Sequence, residues 1–191
     1  HGARSGSVVV LDNQTGEVLA QVNQPSFNPN NRKRLKADRM RNRAVTDVFE
    51  PGSTMKPFVI ATALETGRYA VGTRIDTSPG LFQVGIHTIR DMHDYGTMDL
   101  TSKIALALEP EDFWQGLSAA GFGIATASGF PGEADGYLAD FHRWRDIERA
   151  TLAYGYGLSV TSMQLAQAYS VFANDGYRVP VTLLQRERPA E

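Results

Sequence analysis

Between Phe58 and Leu64 the chain reads Phe-Val-Ile-Ala-Thr-Ala-Leu, apolar around the whole circumference of a helix. Such a helix has no face for solvent and belongs inside a core. The residues before it, Glu50-Pro51-Gly52-Ser53-Thr54-Met55-Lys56-Pro57, set how it begins. Pro51-Gly52 predicts a tight turn into the helix. Pro57 has no N–H, so it removes one early helical hydrogen bond and is expected to leave a carbonyl near Ser53 unpaired. Gly67 is the expected C-cap.

A hydroxyl and an amine three residues apart on a first helical turn share a face. Ser53 Oγ and Lys56 Nζ can therefore point into one site. A serine is a poor nucleophile without a base beside it. Lys56 serves as that base if burial or a neighbouring cation favours its neutral form. The helix N-terminus adds unpaired N–H groups and a positive dipole end, which suit a developing oxyanion. The plainer reading makes Ser53 an N-cap and Lys56 a solvated first-turn residue. Bare Ser-x-x-Lys spacing arises by chance, so placement carries the argument. A Ser/Lys pair at the mouth of a buried helix is an unusual arrangement for structure alone.

Around this helix the pattern alternates strands and helices. Ser7 to Asp12 and Glu17 to Asn23 predict two strands joined by the hairpin composition Asn13-Gln14-Thr15-Gly16. Val8-Val9-Val10-Leu11 is a continuous run, expected of a strand buried on both faces. Gln24 to Asn31 predicts a loop. Leu81 to Val84 and His87 to Arg90 form a small hairpin around Gly85. An apolar helical segment begins at Ile104 and is broken by Pro110, which starts a helix from Glu111 to Ala120 with Phe113, Trp114 and Leu117 on one face. A further helix lies near Ile147, and Ala153 to Val160 predicts an extended segment. There Gly155 and Gly157 permit close backbone approach, and Tyr154 and Tyr156 share one face. Thr161 or Ser162 caps a helix from Met163 to Ala173, and Val179 to Leu183 is a last short strand.

Several function classes fall away. The net charge is −2, which gives no electrostatic case for nucleic acid. Seven basic residues do cluster in Arg32, Lys33, Arg34, Lys36, Arg39, Arg41 and Arg43. Without interleaved aromatics they read as a solvated face, or as a contact for anionic headgroups or a protein partner. The chain has no cysteine, which excludes disulfides, thiolate zinc sites and a cysteine nucleophile. His87, Asp91, His93 and Asp94 crowd together but lack the helical spacing of a zinc motif. The glycines from Gly121 to Gly132 lack the lysine of a phosphate loop. No apolar run approaches the length of a membrane span and no signal peptide opens the chain. His1-Gly2-Ala3-Arg4 reads as a cut into a longer polypeptide.

Glu50 to Phe58 resembles the active-site segment of the class B penicillin-binding proteins, in particular their septal branch in Gram-negative bacteria. The likeness extends well beyond that segment. Ser5-Gly6-Ser7-Val8 to Asn30, with its Asp-x-x-Thr-Gly-Glu-Val-Leu-Ala core, resembles the family's first hairpin. Met40-Arg41-Asn42-Arg43-Ala44 and Asp47-Val48-Phe49 resemble the run before the serine. Ile147-Glu148-Arg149-Ala150-Thr151 to Val160-Thr161 and Gln164-Leu165-Ala166 resemble its glycine-bearing strand and following helix.

The resemblance implies the mixed α/β fold of penicillin-binding transpeptidases and serine β-lactamases: an antiparallel sheet flanked by helices, plus a helical subdomain. It implies acyl transfer by Ser53 and Lys56 without cofactor or metal, with Tyr156 lining the substrate cleft; for Tyr156, core packing is the other reading. It also implies peptidoglycan stem peptides as substrate, β-lactams as inhibitors, membrane proteins of the division complex as partners, and no nucleic acid. The location would be the inner membrane, with the catalytic domain in the periplasm and the anchor outside this chain.

Two family motifs are missing. Ser-x-Asn should fall between Asp99-Leu100 and Lys103-Ile104, where the chain is about a dozen residues shorter than the family pattern, and Lys-Thr-Gly should follow Glu191. Residues 1–191 are thus expected to be a partial transpeptidase domain with an incomplete sheet, lacking the second-motif loop near 100/101 and the third-motif strands. The rival readings are a non-catalytic scaffold of the same fold and a serine β-lactamase, which would turn penicillin over instead of retaining it.

Overall fold

Asp12 gathers the first hairpin: its carboxylate accepts from the N–H groups of Gln14 at 2.9 Å and Thr15 at 3.0 Å. Gly16 completes the turn at φ +74, and a Cβ there would lie 2.2 Å from the Pro180 carbonyl oxygen. Strands β1 (Gly6–Leu11) and β2 (Val18–Gln24) then pair antiparallel, with Val8 opposite Val22 and Val10 opposite Ala20. The computed structural model describes residues 2–31, 33, 35–75, 81–90 and 100–186. The chain divides into two units, one of residues 1–49, 120–137 and 159–191, the other of 50–119 and 138–158.

In the first unit, short helices α1 (Ala37–Met40) and α2 (Arg43–Thr46) follow the hairpin. Val45, Met163 and Val181 form a buried cluster onto which Val9, Leu11, Val18 and Phe130 pack. The opposite face of the hairpin is open, with Val8, Val10 and Val22 exposed, so the expectation of a strand buried on both faces is corrected. The run of valines reflects strand propensity here, and only alternate residues reach the core. Among the described residues β1 pairs with β2 alone. The expected strand at 179–183 reduces to one parallel bridge, Thr182 to Glu17. Glu133 accepts from the Thr126 N–H at 2.9 Å and Ser128 Oγ at 2.8 Å, which closes the glycine-rich loop on itself.

Helix α7 (Ser162–Ser170) is capped by Thr161, whose Oγ1 accepts from the Gln164 N–H at 3.0 Å while Gln164 Oε1 accepts from the Thr161 N–H at 2.8 Å. A short 3-10 turn, Val171–Ala173, replaces the end of the longer helix expected. Gln164 is 1% exposed, and its Nε2 donates to the carbonyls of Ile124 and Asp135, both at 2.6 Å.

The second unit holds a 3-10 turn, Gly52–Met55, running into α3 (Lys56–Glu65). It also holds the hairpin β3 (Leu81–Val84) and β4 (His87–Arg90), and helices α4 (Leu100–Ala107), α5 (Pro110–Ala119) and α6 (Asp146–Leu152). α3 packs on α4 and α5, and α4 on α6. Phe58, Val59, Thr62 and Ala63 are buried, as the apolar sequence of α3 requires; Leu64 alone of the apolar run is well exposed. Phe113 and Leu117 of α5 are fully buried, and Phe113 meets Trp144 edge-on at 5.6 Å. Arg149 donates to the Leu106 and Leu108 carbonyls at 3.2 and 3.3 Å, a C-terminal cap for α4. The expected gap in the family pattern at Leu100–Thr101 falls at the start of α4, and residues 91–99 before it lie outside the described ones.

Candidate active site

Pro51 is buried and helical in φ and ψ, and Gly52 takes φ +62, a combination that turns the chain sharply into the Gly52–Met55 turn. Met55 is fully buried and roots that turn in the core. Thr54 Oγ1 donates back to the Pro51 carbonyl at 2.8 Å. Ser53 is exposed and Lys56 half-buried.

The Lys56 N–H donates to the Ser53 carbonyl oxygen, so the two residues stand one 3-10 turn apart. Residues three apart eclipse in 3-10 geometry, which brings Ser53 and Lys56 onto one side of the turn more directly than an α-helical turn does. This hydrogen bond corrects one expectation. Pro57 cannot serve the Ser53 carbonyl, yet that carbonyl is satisfied, because the chain tightens by one residue before α3 begins. The N-cap reading of Ser53 also fails: the turn is preceded by Pro51, and neither the turn nor α3 has a side-chain cap.

Gly155 and Gly157 hold the segment in front of Ser53. The Gly52 N–H donates to the Gly155 carbonyl at 3.2 Å. Gly155 has φ +87, and a Cβ there would lie 2.1 Å from the Gly52 carbonyl oxygen. Two residues on, the Gly157 N–H donates to Glu50 Oε1 at 3.0 Å. Tyr156 sits between these two bonds, is 51% exposed, and meets Tyr154 edge-on at 5.6 Å. Core packing is thus not its role. The expected extended run is a turn over Ala153 to Gly155, with pairing resumed only at Ser159 and Val160. The close approach at Gly155 follows the glycine argument; the partner it approaches, and the part played by Glu50, were not signalled by any local pattern.

The basic run is partly neutralised. Arg43 pairs with Asp38 and, at 2.8 Å, Asp47, and Arg41 pairs with Asp47 at 2.7 Å. Arg32 and Arg34 lie outside the described residues. So do Asp91, His93 and Asp94 of the histidine–aspartate cluster; among the described residues no three His, Asp or Glu side chains converge. Two clefts, of about 300 and 260 Å³, lie in the first unit, lined in one case by Phe27, Asn28 and Arg39 and in the other by Val9, Phe49 and Tyr169; neither includes Ser53.

Residues 6–189 match the family model of the penicillin binding protein transpeptidase domain. The chain is 42% identical over 193 residues to a probable peptidoglycan D,D-transpeptidase PenA of Neisseria meningitidis, covering 95% of this chain and 33% of that protein. It is 41% identical over 198 residues to the peptidoglycan D,D-transpeptidase FtsI of Escherichia coli K12, covering 98% and 33%. The chain therefore spans about a third of the length of the curated relatives it matches. Among solved structures it is similar to the transpeptidase domain of Burkholderia pseudomallei penicillin-binding protein 3. That match has TM-score 0.81 and 40% identity over 96% of this chain and 54% of the other. A peptidoglycan glycosyltransferase from Burkholderia ambifaria matches with TM-score 0.86 and 40% identity, over 99% and 59%.

Proposed function

The chain belongs to the penicillin-binding protein transpeptidase-domain family, and on that premise we propose that it is the nucleophile-bearing part of a peptidoglycan D,D-transpeptidase. The observation that carries the proposal is the single 3-10 turn joining Ser53 to Lys56 at the head of the buried helix α3. Ser53 Oγ attacks the carbonyl carbon of the penultimate D-alanine of a stem peptide while Lys56 takes its proton. The tetrahedral intermediate collapses, the peptide C–N bond breaks, and the proton passes to the departing D-alanine amine. The acyl ester on Ser53 then meets an amine of a neighbouring stem. A new amide forms and Ser53 regains its proton. The Ser53 N–H is one oxyanion donor, and the family's third-motif strand would supply the second. Tyr156 lines the substrate cleft.

β-Lactams acylate Ser53 in place of the donor and leave slowly. The chemistry draws on no cofactor. Kinship with FtsI supports a septal role, with the inner membrane as location, the catalytic domain in the periplasm and division-complex membrane proteins as partners. Among the described residues no helix is long and apolar enough to cross a membrane.

The test is intact mass spectrometry of the full-length protein with and without a penicillin. A stable one-to-one adduct mapped to Ser53 and lost in Ser53→Ala is expected. No adduct would leave a non-catalytic scaffold as the reading, and rapid release of hydrolysed penicillin would make the protein a β-lactamase.

A further inference from the structure

The residue before Pro51 is joined to the far side of the site. Glu50 and Gly157 are 107 positions apart, yet Glu50 Oε1 accepts the Gly157 N–H at 3.0 Å. The Gly52 N–H reaches the Gly155 carbonyl at 3.2 Å. These two bonds run in opposite senses and bracket Tyr156 on one strand of chain. On the other strand they bracket Pro51 and lead straight into Ser53. Tyr156 has one more backbone tie, its N–H to the Thr151 carbonyl at 3.1 Å. The Gly155 end is a backbone–backbone contact that any sequence with glycine there can make. The Gly157 end depends on a side chain, because among the described residues the Glu50 carboxylate supplies its acceptor. Glycine on both sides makes residues 155–157 intrinsically free in φ and ψ, so the tie at Gly157 fixes what the sequence otherwise leaves loose.

We propose that Glu50 is a positioning residue, whose carboxylate holds the Gly157 N–H and thereby sets Tyr156 at a fixed place beside the Ser53 turn. This rests on the reading of Ser53 as acylated nucleophile and Tyr156 as a wall of the substrate cleft. Glu50 acts on how well a ligand is held before acylation, not on the bond-making step. A charge-assisted hydrogen bond at an exposed site is modest in strength, so the expected effect is about fivefold.

The experiment measures acylation of the full-length protein by a fluorescent penicillin, with the binding constant separated from the first-order acylation rate. Glu50→Ala is expected to weaken binding about fivefold and leave the acylation rate within twofold or so. Glu50→Gln keeps an oxygen acceptor and recovers most of the loss. In a Tyr156→Ala background, Glu50→Ala adds nothing further. If Glu50→Ala does not fold, Glu50→Asp, which draws the carboxylate back by one methylene, replaces it. Wild-type binding in Glu50→Ala overturns the proposal, as does a full second loss on top of Tyr156→Ala. A Glu50→Gln variant as impaired as Glu50→Ala overturns it too, because the charge and not the tether would then matter. Absence of any wild-type adduct is a different failure: it removes the Ser53 reading and this one with it.

Discussion

Gly155 and Gly52 meet backbone to backbone, with an N–H to carbonyl hydrogen bond of 3.2 Å and no space between them for a methyl group. A Cβ on Gly155 would come within 2.1 Å of the Gly52 carbonyl oxygen and 2.4 Å of its nitrogen. The turn that carries Ser53 begins at Gly52, so anything displacing Gly52 displaces the nucleophile.

Gly155→Ala and Gly157→Ala separate crowding from backbone strain. Both glycines have positive φ, +87 and +85, so alanine is strained at either. That strain costs about 1–2 kcal/mol. At Gly157 nothing lies within 4 Å of a Cβ, so strain is the whole cost. At Gly155 the collision adds to it, for a total of about 3–4 kcal/mol. Thermal unfolding should therefore show a drop several degrees larger for Gly155→Ala, with penicillin acylation at least tenfold slower on the relation of rate to barrier. Equal losses at the two positions would remove the crowding argument.

Gln164 supports three groups at once. Its amide satisfies the carbonyls of Ile124 and Asp135 and the N–H of Thr161, and it is 1% exposed. Leucine fits the volume and supplies none of these partners. Leaving buried polar groups unpaired costs about 1–3 kcal/mol for each, partly relieved where water reaches them. Gln164→Leu is expected to lose about 3 kcal/mol in urea unfolding. Gln164→Glu keeps the acceptor for Thr161 but turns a carboxylate oxygen toward the Ile124 and Asp135 carbonyls in a buried site, so it should lose at least as much.

Much of this was legible in the sequence where local patterns left few solutions. Of the two expected caps, Thr161 and Ser162, the first serves, in a capping box with Gln164. The hairpin around Gly16 and the burial of α3 follow from composition in the same way. The start of α6 was blurred because its N-cap is Arg145, held by the Glu148 carboxylate at 2.7 Å through the backbone N–H, and arginine is no conventional cap. Val8, Val10 and Val22 stay exposed despite the continuous run, because β-branched residues favour strands whether or not a layer covers them. The tight turn at Ser53 departs from an α-helical register because Pro57 has no N–H and leaves the Ser53 carbonyl to the Lys56 N–H. The tie between Glu50 and Gly157 joins distant parts of the chain, and no periodicity records it.

Glu148 links the start of α6 to pH. The Arg145 side chain and then its backbone N–H, both hydrogen-bonded to the carboxylate, hold Glu148 below its ordinary value of 4.5. A lowered folded value means the pair stabilises the protein above the unfolded value. That contribution is lost as the pH falls through the lower folded one. Glu148→Gln should thus melt below wild type at pH 7, with the gap closing in acid, below about pH 4. The side chain is 44% exposed, so the gap is small and weakens in salt. A gap that widens in acid would reverse the assignment.

The contact of α5 with α3 sets how firmly the Ser53 turn is backed. Gly116 lies in the middle of α5, where glycine costs helix stability of about 1 kcal/mol against alanine. It stands there because a Cβ would lie 2.0 Å from Thr62 Oγ1 and 3.0 Å from Thr62 Cβ and Cγ2. Thr62 is itself buried, and its hydroxyl donates to the Phe58 carbonyl at 2.9 Å, so a retreat into another rotamer would give up that hydrogen bond. Gly116→Ala should therefore destabilise by about 2–3 kcal/mol despite its gain in helix propensity. Thr62→Ala alone removes a buried methyl and a locally bonded hydroxyl, at about 1 kcal/mol. The double variant replaces the clash with two small side chains that need to part by only a few tenths of an ångström. It should be more stable than Gly116→Ala, a coupling of at least 1 kcal/mol in a double-mutant cycle of urea unfolding. Because α3 carries Lys56 in its first turn, penicillin acylation should follow the same order: slowed in Gly116→Ala and partly restored in the pair. Additive losses would mean that α5 can shift away from α3 without strain, and that the glycine is there for some reason other than closeness to Thr62.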